Sequence, residues 1–335
     1  MKQIVLKRPG GLQQLALVDA ADPGAPGPGE MRVRVHASSL NFHDYAVVAG
    51  MVPTADGRIP MADGAGMVEA VGAGVEEFRT GDAVVSTFFP HWLDGRARID
   101  NFAGTPGDGI DGYAREVVVR PAAWFTHAPR HWSHAEASTL TTAAVTAWRA
   151  LVVEGGLKAG DTVLTLGTGG VSIFALQFAR LMGARVIATS SSDAKLERLT
   201  ALGAEHVINY KNEPAWGQRV CELTDGRGVD HVIEVGGPGT LPQSIEAVRI
   251  AGHISLIGVL TGFGGEVPTA ALMARQARLQ GIIVGSRTHQ QEMIAAIDAS
   301  TLRPVIDRSF ALADIADAFR HEASGQHFGK IVLEF

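Results

Sequence analysis

Asp161–Thr189, DTVLTLGTGGVSIFALQFARLMGARVIAT, decides the fold of this chain. Asp161–Leu166 has the short, apolar pattern of a buried strand. The turn Gly167-Thr168-Gly169-Gly170-Val171-Ser172 follows. Val171–Met182 then carries apolar residues at helical spacing and stops at Gly183, where a C-terminal glycine is expected. Arg185–Thr189 returns to a strand. A strand, a glycine turn and a helix N-terminus collect unpaired N–H groups and the positive helix end at one point. A pyrophosphate fits there, because Gly167, Gly169 and Gly170 let the backbone of the turn, with Val171, approach it closely. Ser172 stands where a third glycine would complete GxGxxG, so the motif rests on its strand–turn–helix context. The alternative is a tight βα turn that holds nothing.

Working outward, the second strand runs into Ser190-Ser191-Ser192. A fold that prefers NAD places an acidic residue there for the ribose hydroxyls. The hydroxyls of Ser190 and Ser191 suit a phosphate, with Lys195 one helical turn further on. The expected cofactor is therefore NADP(H) rather than NAD(H). Asp193 is the competing ribose acceptor, unless it only faces the helix dipole from the first turn. Tyr210, after the third strand, either closes the phosphate pocket or simply ends its strand. Helix-like Asp193–Leu202, strand-like His206–Ile208, a helical stretch near 213–224, the strand Asp230–Val235, a helix near 240–250 and the strand His253–Ile257 continue the alternation. Leu279–Val284 is the last apolar strand of this region. Such alternation predicts an α/β fold, a doubly wound, mostly parallel sheet with helices on both faces.

The first ~125 residues read differently, as strands and turns. Val33–Ala37 alternates apolar and polar residues. Gly64–Gly74 predicts a bent strand punctuated by glycines, and Gly81-Asp82 marks a turn before Ala83–Val85. Residues 87–113 show no period, so they are a functional or mobile segment, or else a surface excursion. The chain closes on the strand-like Lys330–Phe335.

Composition narrows the function. The 335 residues suggest about two domains. With 46% apolar and 19% charged residues, the chain can bury sizeable cores. No apolar run approaches the ~20 residues of a membrane helix, and the opening MKQIVLKRPG lacks the hydrophobic stretch of a signal peptide. A net charge of −6 without a basic run argues against a nucleic-acid binder. The single cysteine, Cys221, excludes a disulfide framework within the chain and a four-thiolate zinc site. A cytoplasmic protein is expected.

Further short motifs accompany the glycine turn. They are Ser39-Leu40-Asn41 with Asp44; GAGMVEAVGAGV at 64–75 with Gly81-Asp82; Thr146-Ala147-Trp148; LGAEHVINY at 202–210; HVIEVGG at 231–237; Val284-Gly285-Ser286-Arg287; and Phe328-Gly329-Lys330. In this order the sequence resembles the medium-chain dehydrogenase/reductase superfamily, most closely its zinc-free, quinone oxidoreductase-like branch. The resemblance implies a GroES-like, mainly β catalytic domain from residues 1–125 and 287–335. It implies a Rossmann NADP-binding domain at 126–286 and an NADP(H) site in a cleft between the two. It implies that Thr142 and Thr146 lie near the nicotinamide. It has Gly236, Val259, Leu260, Val284, Gly285, Ser286 and Phe328 line the cofactor. Lys330 should lie near the cofactor too, unless it is an exposed tail lysine. It also implies a homodimer paired through strand 279–284, whose apolar edge invites a partner.

The departures from zinc-containing relatives carry the chemistry. Where they have a catalytic cysteine this chain has Asn41; where they have His-Glu it has Ala62-Asp63; near Thr141-Thr142 there is no third thiolate. The alternative metal ligands are His127, His131 and His134, whose spacing could face one helix side, with Glu136 nearby; solvated histidines are the simpler reading. The expectation is no metal. Alcohol oxidation then loses Lewis-acid support for its alkoxide. Reactions whose charge needs only hydrogen-bond donors remain, such as hydride addition to a quinone or an α,β-unsaturated carbonyl. Asn41, Asp44 and Tyr45 are the catalytic candidates. Asn41 would hold the nicotinamide ribose, donate to a substrate oxygen, or merely cap a turn. The proton comes from Tyr45 or from water, and His43 is a further candidate. Phe89, His91 and Trp92 form a substrate wall or are buried against the neighbouring lobe.

Overall fold

The structure is a computed structural model that describes all of Met1–Phe335. The first strands are β1 (Lys2–Leu6), β2 (Leu15–Asp19), β3 (Glu30–Ser39), β4 (Ala65–Val71), β5 (Ala83–Ser86), β6 (Val117–Pro121) and β7 (Phe125–His127). Then come β8 (Thr162–Leu166), β9 (Arg185–Ser190), β10 (His206–Asn209), β11 (Val229–Glu234), β12 (Val248–Leu256) and β13 (Arg278–Gly281). The chain ends with β14 (Ile306–Ala311) and β15 (Lys330–Glu334). It folds into two compact units, Met1–Val145 with Val284–Phe335, and Thr146–Ile283.

In the second unit all six strands are parallel, in the order β10-β9-β8-β11-β12-β13. Strand order reverses at β8, so the loop after β8 lies at the switch point where such sheets bind ligands. Every residue of β8 is buried. The helix Gly170–Leu181 buries Ile173, Phe174, Leu176 and Phe178 on one face. The helix expected near 240–250 ends at Ala247, and β12 begins at once with Val248. Pairing of Val248 with Val229 favours the ladder over further helix, and a register shift between Val229 and His231 marks the entry. The last strand is shorter than the apolar run 279–284. β13 stops at Gly281, and Val284 adopts a left-handed φ of +44°, outside the extended range.

The first unit is built on β3, which pairs with β4, β6 and β15. These belong to a sheet ordered β14-β15-β3-β4-β5-β7. Register shifts between Arg32 and Val33 and between Val35 and Ala37 disturb the β3–β4 ladder, as the glycines of 64–74 predicted. A Cβ on Gly66 would lie 1.9 Å from the Arg34 carbonyl oxygen, so only glycine permits this approach. The segment 87–113 holds a single short 3-10 turn at Ile99–Phe102. Its inner part is packed: Phe88 meets Phe89, and Phe89 meets Phe102, edge to face at 4.7 and 4.8 Å. The histidines 127, 131 and 134 do not share a helix. His127 ends β7, His131 has φ +63°, and the helix begins only at His134. Pro129 disfavours helix before it, and the Ser133–Glu136 capping box sets the start. No helix is long and apolar enough to cross a membrane.

Gly66→Ala should destabilise the first unit by about 3 kcal/mol or more, since the new methyl forces two paired strands apart. Urea denaturation of the variant against the parent measures this; an unchanged midpoint would mean that the approach of β3 and β4 is not needed.

Candidate active site

In the second unit the turn after β8 leaves room in front of a helix. Gly167 has φ +72°, and Gly169 is the N-cap of Gly170–Leu181. A Cβ added to Gly167 or Gly169 would meet nothing within 4 Å. The positive φ accounts for glycine at Gly167, and at Gly169 no packing against the protein excludes a side chain, so the backbone of the turn is open to its surroundings. The Ser172 hydroxyl donates to the Leu166 carbonyl at 2.7 Å, tying the helix to the end of β8. The serine at the third motif position is thus structural.

The ends of β9 and β10 meet beside this turn. The Ser190 carbonyl accepts the Tyr210 N–H at 3.1 Å, and its hydroxyl accepts the Ser192 N–H at 3.3 Å. Ser191 and Lys195 are half-buried and Tyr210 is 40% exposed. Ser190, Ser191 and Tyr210 thus stand at the ends of two paired strands, with Lys195 in the first turn of the helix that follows. The Asp193 carboxylate is engaged by the Asn209 amide at 2.6 Å. At the end of β11 the Gly236 N–H donates to Glu234 at 2.8 Å, and its carbonyl accepts from Thr261. Its backbone is therefore satisfied internally. Glu234, fully buried, also receives the Gly237 N–H and the Thr240 and Ser244 hydroxyls. Val259 is half-buried, Leu260 is 60% exposed and Thr146 is buried.

In the first unit the polar residues converge on Asp63. Met61, just before it, has φ +77°, rare for a residue with a side chain, and is fully buried. The Asp63 carboxylate has no exposure and accepts from Thr142 Oγ1 at 2.5 Å, Ser39 Oγ at 2.7 Å and Asn41 Nδ2 at 2.9 Å. Thr142 reaches it from a π-helical turn, Leu140–Ala144, in which the neighbouring Thr141 also turns inward, to Ser86. Lys330 is 2% exposed. It donates to the Leu40 carbonyl and to Asn41 Oδ1, each at 2.5 Å, and its Nζ lies 4.0 Å from Asp63 Oδ2. It is not an exposed tail lysine. Asn41 is the N-cap of the helix Phe42–Val48 and its N–H donates to Asp44 Oδ2 at 3.0 Å, while Asp44 Oδ1 takes the Ala62 N–H at 2.8 Å. Both ends of the Asn41 amide are held by protein groups.

Burial pushes the Asp63 carboxyl up to about 6, against the pull of the Lys330 charge. Burial also lowers the Lys330 ammonium, with Asp63, Glu322 and Asp44 opposing. Glu322 is raised by burial to about 8, and its Oε2 has no hydrogen-bond partner. Burial disfavours the charge on His43, yet the hydrogen bond to Asp108 (3.0 Å) and the nearby Asp44 (3.8 Å) prevail and lift its pKa to about 10.

Asn41, Asp44, Thr142 and Lys330 thus lie together, around a residue whose part the sequence did not reveal. Asp63 was visible only as a departure from His-Glu. The remaining candidates lie elsewhere. Tyr45 packs toward Phe319, ring centroids 6.4 Å apart, against the apolar core. Ser286 caps the helix Arg287–Asp298, and a Cβ on Gly285 would press on Val145 at 2.7 Å. Val284 and Phe328 are buried. Phe89 and Trp92 are buried in the aromatic cluster, whereas His91 is exposed and lies edge-on to Trp124.

Two family models match the chain, an alcohol dehydrogenase GroES-like domain over residues 27–130 and a zinc-binding dehydrogenase over 170–300. A zinc-type alcohol dehydrogenase-like protein of Schizosaccharomyces pombe is 41% identical over 100% of this chain and 99% of its own. The crystal structure of an NAD-dependent alcohol dehydrogenase is 34% identical, with a TM-score of 0.91 and full coverage of both chains. The crotonyl-CoA carboxylase/reductase AntE in complex with NADP is 25% identical, with a TM-score of 0.86, covering 100% of this chain and 94% of that one. The chain has the two-unit GroES-like and Rossmann architecture that its matches define. It belongs to the medium-chain dehydrogenase/reductase superfamily and is an NAD(P)-dependent oxidoreductase.

The family descriptions imply zinc, which needs several thiolate, imidazole or carboxylate ligands at one point. Asn41, Asp63 and Thr142 offer an amide, one carboxylate and a hydroxyl, with the Lys330 ammonium among them. No three His, Cys, Asp or Glu residues are grouped to hold a metal ion. This donor set does not fit zinc.

The raised pKa of His43 means that the folded protein keeps a proton that the unfolded chain loses near 6.5. The His43–Asp108 pair should then stabilise fully below pH 6.5 and lose its effect as pH rises toward 10. Melting temperatures of His43→Gln and the parent between pH 6 and 10 should converge with rising pH; a constant gap would contradict the assignment.

Proposed function

We propose that this protein is a zinc-independent, NADPH-dependent reductase of quinones or α,β-unsaturated carbonyls. The observation that carries the reading is the cluster around Asp63, which holds hydrogen-bond donors and an ammonium where a metal-dependent alcohol dehydrogenase needs ligands. When bound, the reduced coenzyme supplies a hydride. The open turn at Gly167–Gly170 would hold its pyrophosphate, and Ser190, Ser191, Lys195 and Tyr210 its ribose phosphate. Hydride addition to an enone puts negative charge on an oxygen that hydrogen bonds alone can stabilise. Thr142, half-buried, gives its one hydroxyl hydrogen to Asp63, so in this reading it shapes the site while water donates to that oxygen. With Tyr45 turned to the core, water is the better candidate for the proton.

The second reading is an NAD(P)-dependent alcohol dehydrogenase or carbonyl reductase, which the name of one similar structure favours. A coenzyme-binding protein without turnover is the third. The reading extends to a homodimer, since β13 is an edge strand with Ile283, just past its end, 60% exposed.

A panel assay separates these readings. NADPH should be consumed with quinones or enones, while primary alcohols with NADP should give no product; the reverse pattern would establish the alcohol dehydrogenase. Lys195→Ala should weaken NADPH binding on the order of tenfold and leave NADH nearly unchanged, the scale of one charge-assisted hydrogen bond. Fluorescence titration with both coenzymes measures this, and equal weakening would remove the phosphate role.

A further inference from the structure

Lys330 is the one lysine among the buried side chains. A buried ammonium is unfavourable unless it is both paired and hydrogen-bonded. Here the fold supplies both. Strand β15 pairs antiparallel with β3, Val332 opposite Ser39, and the Leu40 N–H bonds the Ile331 carbonyl at 3.0 Å. This register sets Lys330 against Leu40 and Asn41, and a one-residue slip would turn it to the other face. Two acceptors take its hydrogens, and Asp63 stands 4.0 Å away. Asp63 in turn has three donors, of which Ser39 is fully buried and Asn41 and Thr142 are half-buried. The members satisfy one another, so little capacity is left for an outside ligand. Asp44 neighbours the pair through Asn41, His43 lies behind Asp44, and Glu322 faces Lys330 from the helix Ile315–Ala323.

We propose that Lys330 and Asp63 form the resident ion pair of this site, in which the ammonium takes the role a metal cation would have and the pair holds Thr142 and Asn41 in the orientation the reduction uses. Lys330 is then a positioning residue. It fixes Asn41 through Oδ1 and keeps Asp63 an acceptor for the Thr142 hydroxyl. The functional half of this inference rests on the reductase reading; the structural half does not.

The test compares the parent with Lys330→Met and with the double variant Lys330→Met/Asp63→Asn. Lys330→Met leaves a buried carboxylate unpaired, so its melting temperature should fall by about 5 °C or more, or it should fail to fold. The double variant removes both charges at nearly constant volume and should recover most of that loss. After incubation with zinc and gel filtration, the parent should keep far less than one zinc per chain by mass spectrometry of metals. With an enone or quinone substrate, the double variant should keep its NADPH affinity and KM within about threefold, while kcat falls on the order of thirtyfold. A merely structural pair would leave kcat intact once stability is recovered. Stoichiometric zinc in the parent, no recovery of stability in the double variant, or an unchanged kcat would each overturn the proposal. If the parent reduces no quinone or enone, the reductase reading fails, and the melting and zinc results still decide whether the ion pair exists.

Discussion

A carboxylate with no exposure to water needs a charge and several donors beside it, and the first unit is arranged around meeting that need for Asp63. The donors come from far apart in the chain. Ser39 and Asn41 follow one another at the end of β3, Thr142 comes from the π-helical turn, and Lys330 opens β15. Each arrives through backbone pairing or a cap rather than through a free loop. The β3–β15 ladder fixes Lys330, the Asn41–Asp44 capping box fixes Asn41, and the π turn lets two adjacent threonines point inward. Loss of any one of these would leave a buried polar group unpaired, which explains why so much regular structure ends at this point.

The second unit solves a different electrostatic problem with less side-chain chemistry. A twelve-residue helix begins at Gly170 and aims its N-terminus at the loop after the central strand. The glycines there leave space in front of N–H groups. In the proposed reading, the neighbouring strand ends, where small hydroxyls and Lys195 stand instead of an acidic residue, would select between coenzymes. The division is economical. Backbone geometry would then recognise what all such coenzymes share, and a few side chains after β9 and β10 would read the difference.

Much of this was legible in the sequence because it is local. The strand–turn–helix at 161–182 declares itself by periodicity and glycine placement, and the structure agrees within a residue at each end. The glycines of 64–74 announced a bent strand for a steric reason that Gly66 makes plain. What stayed hidden depends on residues remote in sequence. Lys330 was read as either cofactor-facing or exposed, because nothing near it reveals that β15 will lie beside β3. Asp63 showed only as a departure from His-Glu, since its partners come from three distant segments. The alternative of a helical array of His127, His131 and His134 fails because a proline and a capping box intervene. The boundary between the helix ending at Ala247 and β12 was missed because strand pairing with Val229, not propensity, sets it. Phe89 and Trp92 are buried in an aromatic cluster that the irregular sequence of 87–113 did not announce.

X-ray diffraction from crystals of the protein grown with zinc, collected on both sides of the zinc absorption edge, tests the central claim most directly. The account predicts no anomalous density among Asn41, Asp63 and Thr142, and Lys330 Nζ within hydrogen-bonding distance of Asn41 Oδ1. A strong anomalous peak bound to Asp63, with the lysine displaced toward solvent, would contradict it.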